Sequence, residues 1–187
     1  MTRLLPEQTR AEPSPLERFN SISAAEARRA LLMCLRSLRW ADRVSAHRPY
    51  PDLGSLLAAS DEAAYDLTPT DLAEALAGET LPPLPEDTYE AAHMALSAAH
   101  TAYEARFGHA FVIYVGDTPP DEALDRFLEG IRSRLTNDPE DERVLAADEL
   151  RRLAKGRLIS MLRGAGLRPS EAPPGGANGQ EHPLPGR

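Results

Sequence analysis

Arg157 is the side chain whose type and position say most about possible chemistry. It lies three residues after Ala154 and beside Leu158, at the margin of a helical apolar stripe. A guanidinium there needs an acceptor, and a ligand's carboxylate or carbonyl would supply one in bidentate geometry. Arg151, Arg152 and Lys155 share the same stretch, where a favourable interaction with the C-terminal end of a helix dipole is explanation enough. The histidines are the other candidates. His93 and His100 lie seven apart and share a helical face, without the carboxylate spacing that completes a metal site, so no metal is expected. His109 follows a glycine in a turn, where its ring can bond nearby carbonyls. No phosphate-cradling glycine loop, HExxH, CxxC or GxSxG occurs, so the motif-based enzyme classes receive no support.

These residues flank one transition, the run Thr101-Ala102-Tyr103-Glu104-Ala105-Arg106-Phe107-Gly108-His109-Ala110-Phe111-Val112-Ile113-Tyr114-Val115. Upstream, Tyr89, Ala92, Leu96, Ala99, Tyr103 and Phe107 recur at helical spacing, and Gly108 can take the left-handed conformation that closes a helix. Phe111, Val112, Ile113, Tyr114 and Val115 then have the β-branched and aromatic bias of an extended segment. One extended run among helices has no ladder partner. Its backbone groups must be satisfied by side chains, helix ends, water or a ligand, which makes it the candidate binding surface.

The remaining elements are helical and marked by local signals. Ser23 and Glu26 form a capping box behind Ile22, opening a helix predicted to run to about Arg36. Ser37 caps a short helix carrying Trp40, Ala41 and Val44, which ends at His47-Arg48-Pro49-Tyr50-Pro51. Asp52 opens another with Leu53, Leu56 and Leu57, and Ser60 reads as the start of a further short one ending near Leu67. Thr68-Pro69-Thr70-Asp71 begins a helix that stops at Gly78, and the proline-rich loop from Gly78 to Glu86 leads to a cap at Asp87. Leu124, Phe127, Leu128, Ile131 and Leu135 form the stripe of a later helix. The last is capped by Asp138 and carries Val144, Ala147, Leu150, Ala154, Leu158, Met161 and Leu162. The fold class is all-α, a single multi-helix domain with one short extended segment. Its boundaries are predicted as a disordered arm at 1–17, the domain at 18–163 and a disordered Pro/Gly-rich tail at 164–187.

Composition agrees with one core. A chain of 187 residues with 42% hydrophobic content is long enough to bury one, and a net charge of −8 argues against nucleic acid or an anionic membrane as a partner. Cys34 is the only cysteine, and no stretch approaches a signal peptide's apolar run or a membrane span, so a cytoplasmic protein is expected.

Four separated pieces carry a resemblance. They are Phe19-Asn20; Trp40-Ala41 with Arg48-Pro49-Tyr50; the run from Tyr103 to His109 with Phe111-Val112-Ile113; and Arg134-Leu135-Thr136-Asn137 with Glu142 and Gly156-Arg157-Leu158. In this order and spacing, over about Arg18 to Leu162, the chain resembles the 2-oxo-4-hydroxy-4-carboxy-5-ureidoimidazoline (OHCU) decarboxylases, which form (S)-allantoin in urate breakdown. The resemblance implies a cofactor-free, all-helical decarboxylase, commonly a homodimer, acting on a small ureide. It places a catalytic arginine at Arg157 and a substrate-binding backbone at Phe111, Val112, Ile113, Tyr114 and Val115.

The chain departs from the family where the family's acid should be. Members place a His-Pro pair and then a Ser-x-x-Glu-Gln element after the helix that corresponds to Leu72 to Ala77. Here the region reads Ala77-Gly78-Glu79-Thr80-Leu81-Pro82-Pro83, and no histidine occurs between His47 and His93. Glu79, Glu86 and Glu90 are nearby carboxylates, none in a matching motif, and the asparagine before the family's tyrosine is replaced by His100. Two readings follow: a divergent decarboxylase with another acid, or a non-catalytic member that binds a ureide or a protein partner.

Overall fold

The computed structural model describes residues 12–80, 90–116 and 118–165. They form eight α-helices and a final π-helical turn: α1 Pro15–Ser21, α2 Ala24–Leu32, α3 Leu38–Ala46, α4 Leu53–Tyr65, α5 Pro69–Ala77, α6 Glu90–Phe107, α7 Pro120–Arg134, α8 Pro139–Ser160 and the turn Met161–Ala165. The fold is all-α, and no strand forms among the described residues. The expected cap at Asp87 lies outside them, as do most of the two tails.

Caps fall where side chains can satisfy the free N–H groups of a first turn. Ser23 and Glu26 bond reciprocally, as do Thr68 and Asp71, and Asp52 and Asp138 accept from the first turns of α4 and α8. Order starts earlier than expected. A third capping box, Ser14 with Glu17, opens α1 ahead of Arg18. Two other boundaries also differ. Instead of reaching Arg36, α2 ends at Leu32, and the Cys34 carbonyl that leaves the helix accepts from Arg157 Nη1 at 3.2 Å. Ser60 starts nothing. It sits buried inside α4, and its carbonyl accepts from the indole N–H of fully buried Trp40 at 2.9 Å.

The apolar residues gather in two clusters rather than the single core composition suggested. The larger joins Phe19, Leu31, Trp40, Leu56, Leu150 and Leu158 with Val112; the smaller joins Leu96, Tyr103, Phe127 and Ile131 with Phe111. Residues 111–115 are the seam between them. Successive side chains of extended backbone point to opposite sides, so Phe111, Ile113 and Val115 face the α6–α7 cluster while Val112 faces the other. Gly130 on α7 makes this approach possible, since a Cβ there would stand 3.1 Å from both Phe111 and Ile113. At the upstream end, Gly108 has φ +76° and closes α6 in the left-handed conformation.

Because Phe111 is 2% exposed and its ring stacks edge-on against Tyr103 at 5.1 Å, Phe111→Ala should cost about 3–5 kcal/mol. Urea unfolding would measure it, and a loss below about 1 kcal/mol would show that the seam can collapse.

Two of the sequence pieces fasten the N-terminal half. The Asn20 side chain donates to the Tyr50 carbonyl at 2.8 Å and accepts from the Tyr50 N–H at 2.9 Å. Arg48 Nη1 donates to the carbonyls of Phe19 at 2.6 Å and Ile22 at 2.9 Å. These contacts hold the 47–51 turn against the end of α1.

Candidate active site

Helix α8 acts as a ruler for the extended segment. Glu142 and Glu149 lie seven residues apart, two turns and about 10 Å along one face, and Gly156 follows after seven more. Each position holds a different part of residues 111–115.

Fully buried Glu142 accepts at Oε1 from Arg134 Nε at 2.7 Å, from Arg134 Nη2 and from the Tyr103 hydroxyl, and at Oε2 from Asn137 Nδ2 at 2.8 Å. Arg134, itself buried, uses Nη1 to donate to the Val112 carbonyl at 2.6 Å and lies 4.6 Å from the Phe111 ring centroid. A buried ion pair is tolerable only when its remaining hydrogen-bond capacity is filled, and here four donors converge on one carboxylate. Burial, with the hydrogen bond to Glu142, pushes the Tyr103 hydroxyl well above the usual tyrosine range and keeps it a neutral donor.

Glu149, two turns on, accepts the Tyr114 N–H at 2.7 Å and Arg152 Nη1 at 2.9 Å. At Gly156 a Cβ would stand 2.8 Å from the Tyr114 ring, so this glycine lets the ring lie on α8. Arg157 comes next. The sequence put Val144 on the buried face of this helix, but it is 62% exposed, while Glu142 and Glu149 are buried.

Arg157 lines an open cleft of about 620 Å³ together with Met33, Cys34, Tyr114, Gly116 and Gly156. Its partner is Glu79, a buried carboxylate that accepts from Nη1 and Nη2 at 2.7 Å each. The hydrogen bonds to Glu79 raise the Arg157 pKa further. Gly78 delivers Glu79 by close approach, since a Cβ there would come within 2.8 Å of Arg36 Cβ. A groove of similar volume on α7 is lined by Asp125, Leu128, Glu129, Arg132 and Ser133, all from one helix face, and it gathers no converging chemistry.

The structure distributes the sequence candidates unevenly. Arg157 and Tyr114 share the cleft. Phe111 and Val112 are buried in the two clusters, Ile113 packs toward Gly130, and the Val115 carbonyl accepts from the Thr118 N–H at 3.2 Å. Gly116 and Cys34 line the cleft without having been site candidates, and Glu79, one of the carboxylates near the missing His-Pro pair, reaches it through Arg157. The histidines lie elsewhere. His93 is exposed, His100 Nδ1 is 3.5 Å from Glu104, His47 Nδ1 pairs with the Arg43 carbonyl at 2.7 Å, and His109 lines a separate pocket of about 200 Å³ with Leu72, Leu76 and Arg143. Among the described residues no histidine lines the Arg157 cleft.

Arg151 and Arg152 do not serve the helix end. Arg152 pairs with Glu149, while Arg151 pairs with Asp148 and stacks 3.6 Å above the Tyr65 ring.

A family model for OHCU decarboxylase matches residues 20–159, three-quarters of the chain and every element of the cleft except the terminal Ser160 and Met161. The chain belongs to the OHCU decarboxylase family. No curated protein sequence matches it. Among solved structures, an OHCU decarboxylase crystallised in the presence of (S)-allantoin superposes with a TM-score of 0.61 at 20% identity, over 71% of this chain and 96% of that one. An (S)-allantoin synthase superposes with a TM-score of 0.59 at 20% identity, over 78% of this chain. This chain spans only 53% of the synthase's length. At such identity these likenesses speak for the fold. The family is one of carboxy-lyases, and no helix among the described residues is long and apolar enough to cross a membrane.

Cys34 is an unpromising nucleophile in this cleft. Burial pushes its thiol up to about 11, against the opposing pull of Arg157. The native protein should therefore resist alkylation by iodoacetamide at about pH 8 and react once unfolded, as mass spectrometry would show. Fast labelling of the native protein would place the thiol in the open cleft.

Proposed function

We propose that this family member catalyses cofactor-independent decarboxylation of OHCU to (S)-allantoin in purine catabolism, in the cytoplasm and as a homodimer. The observation that carries the proposal is Arg157 in a cleft with Tyr114 and Gly116, inside the family-matched span. In the reaction the bond between ring carbon and carboxyl group breaks, carbon dioxide leaves, and the electron pair delocalises into the imidazoline. A proton must then reach the ring carbon on one face. Arg157 can stabilise charge that develops on a ring oxygen, and residues 114–116 can orient the ureide. Phe111, Val112, Ile113 and Val115 hold that backbone in place.

A second reading has its own observation. The cleft offers hydroxyl groups from Tyr114 and Ser160 but, among the described residues, no imidazole, which favours a member that binds a ureide without turning it over. Circular dichroism on freshly generated OHCU separates the two. Enantiomerically enriched allantoin supports the enzyme, whereas saturable ligand binding with only racemic product supports the binder.

A further inference from the structure

Arg157 has five N–H donors, and the structure accounts for three of them. Nη1 gives one hydrogen to Glu79 Oε1 and one to the Cys34 carbonyl, and Nη2 gives one to Glu79 Oε2. The pairing with Glu79 is end-on. Nε–H and the second Nη2 hydrogen make no hydrogen bond to any described residue, and in a planar guanidinium these two donors point side by side. The Arg157 side chain is 38% exposed at the cleft while Glu79 is 5% exposed behind it. A second fork is thus left for a ligand, on a cation whose charge is already matched.

Resting on the reading of the cleft as a ureide site, we propose that Glu79 is a positioning residue that fixes Arg157 by its end-on fork and makes the site select an uncharged carbonyl over a carboxylate. The chemistry of decarboxylation gives this choice a purpose. An arginine that grips the departing carboxylate stabilises the ground state, because that charge moves off the group as carbon dioxide forms, and the grip raises the barrier. An arginine on a ring or ureido carbonyl instead meets an oxygen that gains negative charge as the electron pair delocalises. Glu79 biases the site toward the second arrangement by repelling a carboxylate at the side-on fork. It also holds the guanidinium plane, which costs a flexible side chain entropy that has then been lost before the ligand arrives.

The test uses two probes that differ in charge alone, N-carbamoylglycine and its neutral amide, with Kd measured by calorimetry on the full chain. The wild type should prefer the amide. Glu79→Gln keeps the shape and an acceptor oxygen but removes the charge, and it should shift the ratio of the two affinities toward the anion by roughly tenfold or more. A ratio that stays fixed in a folded Glu79→Gln protein overturns the proposal, because a merely structural glutamate would weaken both probes together. The wild type alone is also decisive: preference for N-carbamoylglycine, or no binding of either probe at millimolar concentration, overturns it. Failure of the decarboxylase reading has a different signature, since it removes chiral product and leaves the affinity ratio where it was.

Discussion

Glu142→Ala should remove about 3–5 kcal/mol from the stability of this protein, the penalty for breaking a buried ion pair from one side. The substitution leaves Arg134 charged, only 7% exposed and without its carboxylate, and it strands the Tyr103 hydroxyl and Asn137 Nδ2 as well. Against a typical total of about 5–15 kcal/mol, that brings the domain near its unfolding threshold at room temperature. Tyr103→Phe removes a single donor and leaves the ion pair in place, so its cost should lie nearer 1.5–3 kcal/mol, the usual range for a hydrogen bond to a charged group. Urea unfolding of both variants gives the ordering. Equal and small losses would mean that Arg134 finds another acceptor, and the network would then not be what holds Val112 against α8.

That network also shows which kinds of information a sequence carries. Ser23 with Glu26, Thr68 with Asp71, and Gly108 could be read directly, because each acts within four residues of itself and the physics is local. The extended segment was legible for the same reason, from its β-branched and aromatic run after a helix stop. Glu149 was not, and Glu142 was marked only as part of the resemblance, with no contact implied. A glutamate on a helix normally faces water, and nothing near either one in sequence announces that Arg134 or the Tyr114 N–H will meet it. Glu79 is the extreme case, since its partner Arg157 lies 78 positions away and the pair exists only after α5 and α8 have packed. The errors at α2 and α4 have the same origin. A Ser-Asp-Glu sequence caps a helix when its surroundings are open, but Ser60 is buried against Trp40, and tertiary packing carried α4 through it. Arg157 could be located because the resemblance marked it, whereas its acceptor required the fold.

Turnover of OHCU should be slower by about 10² to 10⁴ than in relatives that keep the His-Pro pair, the usual contribution of a positioned general acid. The proposed site keeps Arg157 with a free fork, Tyr114 and Gly116, and the α8 contacts at Glu149 and Gly156 that seat Tyr114. It lacks, among the described residues of the cleft, a group that readily gives up a proton near neutral pH. Hydroxyl groups and water remain as donors, and both hold their protons far more tightly than an imidazolium does. The loss should fall on kcat while KM stays close to that of the relatives. Steady-state kinetics by circular dichroism, with the variants His93→Ala, His100→Ala and His109→Ala beside the wild type, checks each part. A full-speed wild type that one of these variants abolishes would show that a histidine reaches the cleft during the reaction, and the weak-acid argument would fall. Slow turnover unaffected by all three would leave Arg157 and the backbone of residues 114–116 as the catalytic machinery, with stabilisation of developing charge supplying what rate there is.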